Sequence, residues 1–243
     1  MSASASSATA AVPPRGEVRT SLVLLALTLT AGAVDAVTFL GLGHAFAALT
    51  TGNVLLLGFG VSRTAATPVA RPAEALAAFA AGLIAAHALL ARLKRREQRW
   101  FVGGLAVEVA LLAVAGLFAV GTSGSAHLSD HAQAVTVLLL AGAMGWRTRV
   151  LLEAGIPEMP TTVLQIALAK TVTEFLTTGL RGPAETRLAR ARRAATILGL
   201  FAGAALGALL LRLGPGPALL CLAAFEACVV TAYSRTPRLR PPA

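Results

Sequence analysis

The sequence predicts an all-α fold, a polytopic membrane bundle, and three observations carry that. Hydrophobic residues make up 56% of the 243 positions and charged ones only 13%, where soluble domains carry about a quarter charged. Mean hydropathy is +0.74. The apolar residues gather into six runs, each near the roughly 20 residues that a helix needs to cross a bilayer at 1.5 Å per residue. The clusters of Lys and Arg abut those runs. This composition excludes a soluble globule and a disordered chain. Two cysteines, Cys221 and Cys228, are too few for a disulfide scaffold.

The elements follow in chain order. Residues 1–19 are rich in Ala, Ser and Pro and predict a disordered cytoplasmic tail. The apolar run behind them is too long for a signal-peptide core and has no clear cleavage site. Spans are predicted at about 20–41, 74–93 and 101–121, making a first membrane repeat over 20–121. Residues 122–131, without Lys or Arg, predict an external loop. A second repeat over 132–234 holds spans at about 132–152, 195–213 and 216–234, and 235–243 form a second cytoplasmic tail. Two further segments, 46–62 and 161–180, are shorter or more polar, and the second contains Lys170 and Glu174.

The formal net charge is +10, from 19 Arg and 2 Lys against 11 acidic residues. One cluster holds Arg92, Lys94, Arg95, Arg96 and Arg99; another holds Arg181, Arg187, Arg190, Arg192 and Arg193. Arg15 and Arg19 precede the first run, and Arg235, Arg238 and Arg240 close the chain. Each cluster abuts an apolar run, and no stacking aromatics interleave with it, so the charge marks topology rather than nucleic acid. With eight spans the two large clusters would face opposite sides. With six, both clusters and both termini face the cytoplasm, and only Arg63 and Arg71 fall outside. Segments 46–62 and 161–180 are then re-entrant or interfacial, because irregular backbone cannot face lipid.

The halves resemble each other in order. Ala31-Gly32-Ala33-Val34 recurs as Ala141-Gly142-Ala143-Met144, and Thr50-Thr51-Gly52-Asn53-Val54-Leu55 is echoed by Thr161-Thr162-Val163-Leu164. Phe79-Ala80-Ala81-Gly82 is echoed by Phe201-Ala202-Gly203, and Glu108 by Glu226. Three spans per half is an odd number, so the second copy would be inverted, an architecture of secondary transporters.

At these residues the chain resembles a known family. Ala31-Gly32-Ala33-Val34-Asp35-Ala36, Thr51-Gly52-Asn53 with Leu55-Leu56-Leu57-Gly58, Ala143-Met144-Gly145, Pro160-Thr161-Thr162-Val163 and Phe201-Ala202-Gly203-Ala204 look like the YoaK family of bacterial inner-membrane proteins, a domain of unknown function. The resemblance covers roughly residues 20–234. It implies a multi-pass protein of the bacterial plasma membrane and supplies no activity. Two positions depart from the family pattern. Trp146-Arg147-Thr148 stands where a Gln-Asn pair is usual, and Gln165-Ile166-Ala167 where a Thr-Gly-Thr element is usual.

The candidate chemistry lies in polar residues within the spans. Asp35, Glu108 and Glu226 are intramembrane carboxylates, and each costs about 2.5–3.5 kcal/mol at mid-bilayer on insertion scales. They serve as an ion or proton pathway or as hydrogen-bonded packing elements. Thr50, Thr51, Gly52 and Asn53 offer hydroxyls, an amide and exposed backbone at one kink, as a broken helix at a substrate site does; Thr and Asn are equally ordinary helix caps. Arg147 and Arg149 sit near the inner end of the fourth span, where long side chains snorkel; Arg147 is also a candidate charge partner for a carboxylate. Gly199, Gly203 and Gly207 share one helix face and allow close helix packing, within the chain or with a second copy in a homo-oligomer. Cys221 and Cys228 are expected as inert core residues. His127, Asp130 and His131 are expected as solvated loop rather than a metal site. No zinc-protease, serine-hydrolase, P-loop or dinucleotide motif is present, so no enzyme and no cofactor is expected. The expected function is a small secondary transporter or permease for an unknown solute or ion; the alternative is a non-transporting assembly or regulatory subunit. The expected partners are the lipid bilayer and that solute, and no nucleic acid.

Overall fold

The computed structural model describes residues 15–62, 69–95, 100–122, 128–154 and 184–235, together with positions 169, 172, 173 and 176. Among them are seven α-helices and no strand. They are α1 (Arg15–Gly41), α2 (Thr50–Val61), α3 (Ala70–Arg95), α4 (Trp100–Gly121), α5 (Asp130–Glu153), α6 (Ala184–Leu210) and α7 (Pro215–Ser234). All but α2 are long and apolar enough to cross a membrane, which gives six spans. Segment 46–62 forms α2, whose 12 residues reach only about 18 Å at 1.5 Å per residue. Segment 161–180 lies almost entirely outside the described residues.

Local chemistry sets the element ends. α1 extends back to Arg15, into the stretch expected as tail. α5 begins at Asp130, inside the stretch expected as loop, because the Ser129 side chain accepts a hydrogen bond from Ala132 N–H at 3.2 Å and Asp130 sits in the positive first turn. α6 ends in a 3₁₀ turn, Leu211–Leu213. Gly214 then takes a φ of 101°, and Pro215 starts α7 at once. A left-handed glycine followed by a proline at the first helical position makes this connection short.

Small residues fix the packing. α1 and α6 run parallel: Gly199, Gly203 and Gly207 face Leu25, Leu29 and Ala33 in register. A Cβ on Gly203 or Gly207 would overlap the carbonyl oxygen of Leu29 or Ala33. α3 and α5 run parallel in the same manner, with Gly82 against the Gly142 carbonyl and Gly145 against the Phe79 carbonyl. α4 packs on α5 and α7, and α7 on α1. The centre is thus built from α1, α4, α5 and α7, while α3 and α6 flank it. Ile84, Leu198 and Phe201 point away from the bundle at 70%, 64% and 72% exposure, the surface that lipid covers. Cys221 and Cys228 also lie on the outside, not in the core where they were expected, because the α7 face that turns inward is Leu219, Leu222, Glu226 and Val230.

The two ends of the bundle differ. One gathers the loop after α1, the start of α3 and the α6–α7 turn: Leu211 packs on Gly41, and Arg71 reaches both Gly43 and Asp130. Arg212 lies in that turn as well, a second basic residue at this end beside Arg71; Arg63 lies outside the described residues. The other end carries an aromatic group, Trp100, Phe101 and Tyr233, with ring centroids 5.8 and 5.9 Å apart. Arg149 pairs there with Glu153 and lies 3.2 Å from His87 Nδ1.

Candidate functional site

The apolar core is divided in two. One buried cluster includes Ala33, Val37, Leu112, Met144 and Leu222, towards the α6–α7 turn. The other includes Leu27, Leu105, Trp146, Val150 and Val230, towards the aromatic end. Between them each of the four central helices contributes one polar residue: Thr30 from α1, Glu108 from α4, Arg147 from α5 and Glu226 from α7. All four are at most 4% exposed. Glu108 and Glu226 are each eight residues from the aromatic end of their helices, about 12 Å along the axis.

Arg147 is the hub. Its Nε donates to Glu108 Oε1 and its Nη2 to Glu226 Oε1, two ion pairs on one guanidinium. Nη1 donates to the Leu27 carbonyl at 2.7 Å, and Nη2 also reaches Thr30 Oγ1 at 3.0 Å. The Thr30 hydroxyl lies 3.0 Å from both Glu226 Oε1 and the Leu27 carbonyl. Arginine suits this position because a planar fork can serve several acceptors at once. The remaining oxygens, Glu108 Oε2 and Glu226 Oε2, are buried and have no hydrogen-bond partner. Arg147 therefore does not snorkel: the carboxylates and the α1 backbone hold it between the apolar clusters. Next to it, Trp146 Nε1 donates to the Gly104 carbonyl at 2.8 Å and fixes α5 against α4.

Asp35 and the Thr-Gly-Asn element form a separate arrangement. The chain after α1 turns back into the bundle, with Leu42, Ala45 and Ala47 buried. Irregular backbone at this depth must find internal partners. Asn53, 1% exposed, provides two: its Oδ1 accepts from Phe46 N–H at 2.9 Å and its Nδ2 donates to the Phe46 carbonyl at 2.7 Å. Asp35 Oδ1 accepts from Ala48 N–H at 2.7 Å, just ahead of the α2 N-terminus, where a carboxylate is favoured. Gly52 lies under the Phe46 ring, which stacks on Phe39 at 4.6 Å. Thr50 is partly buried and Thr51 exposed at the start of α2.

Glu108, Glu226 and Arg147 thus meet at one point, while Asp35, Gly52 and Asn53 hold the re-entering loop. Gly199, Gly203 and Gly207 are occupied by α1, so the face that offered a docking surface for a second copy is closed inside the chain. Sequence reasoning did not name Thr30, and it placed Arg71 outside without giving it a partner. Thr30 sits unmarked among apolar residues. Arg71, 7% exposed, joins Glu74 at 2.9 Å and Asp130 at 2.6 Å; its position as a lone basic residue ahead of a span was the available signal. His131 is exposed, and His127 lies outside the described residues.

Residues 23–232 match the family described as a protein of unknown function, DUF1275. The chain is 33% identical over 150 residues to the UPF0700 transmembrane protein YoaK of Bacillus subtilis (strain 168). That alignment covers 60% of this chain and 63% of the relative's length. No solved structure matches.

Proposed function

The chain belongs to the DUF1275 family of proteins of unknown function, and we propose that it is a small secondary transporter of the bacterial plasma membrane, with both termini in the cytoplasm. The observation that supports this most is the charged layer of Glu108, Arg147, Glu226 and Thr30 set between two apolar clusters. A carrier needs a polar site near mid-membrane and an apolar seal on either side, opened in turn. The site draws on the first half through α1 and α4 and on the second through α5 and α7. Its solute would pass along the interface where those helices meet. In this reading the two apolar clusters are the outer and inner seals.

Reading the two halves as an inverted repeat supports the same function. Gly32 of α1 packs on the Leu200 carbonyl of α6, and Gly142 of α5 faces the Ala78 carbonyl of α3. In that reading these positions correspond, as do Glu108 and Glu226, which meet on one arginine. Halves related in this way can rock about a central site. The basic clusters at 92–99 and 181–193 support cytoplasmic placement of the aromatic end, where α3 stops and α4 starts.

The test is flux of a solute library in proteoliposomes, with and without a pH gradient. At least one solute should accumulate in a manner that Glu108→Gln or Glu226→Gln abolishes. The alternative, a non-transporting assembly subunit, is favoured by the engagement of all three Arg147 guanidinium nitrogens within the chain. It is the outcome if no solute moves and the protein copurifies with a fixed membrane partner.

A further inference from the structure

The charged layer does not balance as drawn. One guanidinium faces two carboxylates, so with all three ionised the layer carries a net charge of minus one. It carries it at residues that are 1% exposed, in the interior of a membrane bundle, where an uncompensated charge is costly. The two carboxyls share that one guanidinium, Glu108 on Nε and Glu226 on Nη2. Each also keeps one oxygen, Oε2, buried and without a donor. One added hydrogen removes the excess charge and gives a donor to a layer that has two orphaned acceptors.

We propose that Glu108 and Glu226 together bind one exchangeable proton, while Arg147 stays charged. As a coupling ion, this proton rests on the transporter reading above; as a bound ligand, it rests on the geometry alone. The layer then holds Arg147⁺, one carboxylate and one carboxylic acid, and is neutral. A metal cation fits the same excess charge poorly. It would need a shell of several oxygens, and among the described residues only the two Oε2 atoms are buried side-chain oxygens without a partner. The Leu27 carbonyl and Thr30 Oγ1 already serve Arg147, whose own charge repels a cation. The charged groups facing the pair are Arg147 from α5 and, acting on Arg147 from α1, Asp35. Asp35 is answered locally by Ala48 N–H. The apolar clusters on either side separate the proton from both membrane faces, so its exchange should be slow unless the bundle opens.

Infrared spectroscopy of the full chain in lipid, with glutamate labelled by carbon-13, reads this directly. The label separates Glu108 and Glu226 from Asp35. Wild type at neutral pH should show a protonated glutamic-acid carbonyl band that exchanges slowly in heavy water and ignores sodium and potassium. The band should be lost in both E108Q and E226Q, because the single remaining carboxylate is balanced by Arg147. A wild type without the band overturns the proposal, and needs no variant to fold. So does a band removed by sodium or potassium, or one that persists in both variants. Transport is scored apart: a slow-exchanging band in a protein that moves no solute upholds the proton site and rejects the transporter.

Discussion

Arg147 is the residue on which the centre of the bundle depends. Removing it leaves Glu108 and Glu226 buried without a counter-charge, and breaking a buried pair from one side costs about 3–5 kcal/mol. Arg147→Gln should therefore lose most of its folded yield and unfold well below wild type in a detergent melting curve. Replacing the whole set with apolar residues (Arg147→Met, Glu108→Leu, Glu226→Leu) removes the imbalance. That protein should melt at or above the wild-type temperature, since apolar substitutes for buried ion clusters are often neutral or stabilising; in the transporter reading it is also inactive. A triple variant that unfolds as readily as Arg147→Gln would show that the cluster itself stabilises the fold. Asn53 is a second such position. Asn53→Ala orphans the Phe46 N–H and carbonyl, at about 1–3 kcal/mol for each buried group. The loss should appear as faster proteolysis at residues 42–49 before it appears in global melting.

At the scale of the helix, close approach of backbones replaces the hydrophobic effect, because lipid is as apolar as the helices. α6 lies on α1 only because Gly203 and Gly207 let the Leu29 and Ala33 carbonyls in. Gly203→Ala should push the two helices apart and cost about 1–3 kcal/mol, as overpacking does. Gly58 in α2 is the control, since a Cβ there meets nothing within 4 Å. Gly58→Ala should be neutral or stabilising by up to about 1 kcal/mol through lost backbone freedom. Equal melting temperatures for the two variants would refute the packing account. Because the α6 glycines are covered by α1, Gly203→Ala should leave any oligomeric state unchanged when the folded fraction is sized.

At the scale of the whole molecule, six spans set the α1 N-terminus and the α7 C-terminus on one side. In a background lacking Cys221 and Cys228, His131→Cys should react with an impermeant maleimide added outside intact cells. Arg235→Cys should react only after permeabilisation. The reverse pattern would overturn the orientation argued from the basic clusters, while leaving the helix packing untouched.

Composition and periodicity determined the membrane class, the six long helices and the polar residues among them, because each of these depends on the chain's local solvent preference. A run of some twenty apolar residues has few fates other than a span, and a carboxylate inside one is conspicuous wherever it ends up. What the residues do to one another depended on which helix faces are adjacent, and no local pattern encodes that. Arg147 lies close enough to a span end to snorkel, and only the approach of α4 and α7 turned it into a buried counter-charge. Asp35 and Thr51-Gly52-Asn53 looked as much like a ligand site as a structural element until the chain between them folded back and took up Asp35 and Asn53. The G-x-x-x-G face of α6 was equally suited to a second copy, and α1 occupied it first. Each of these outcomes turned on a contact between distant segments, which three-dimensional packing selects and the one-dimensional pattern only permits.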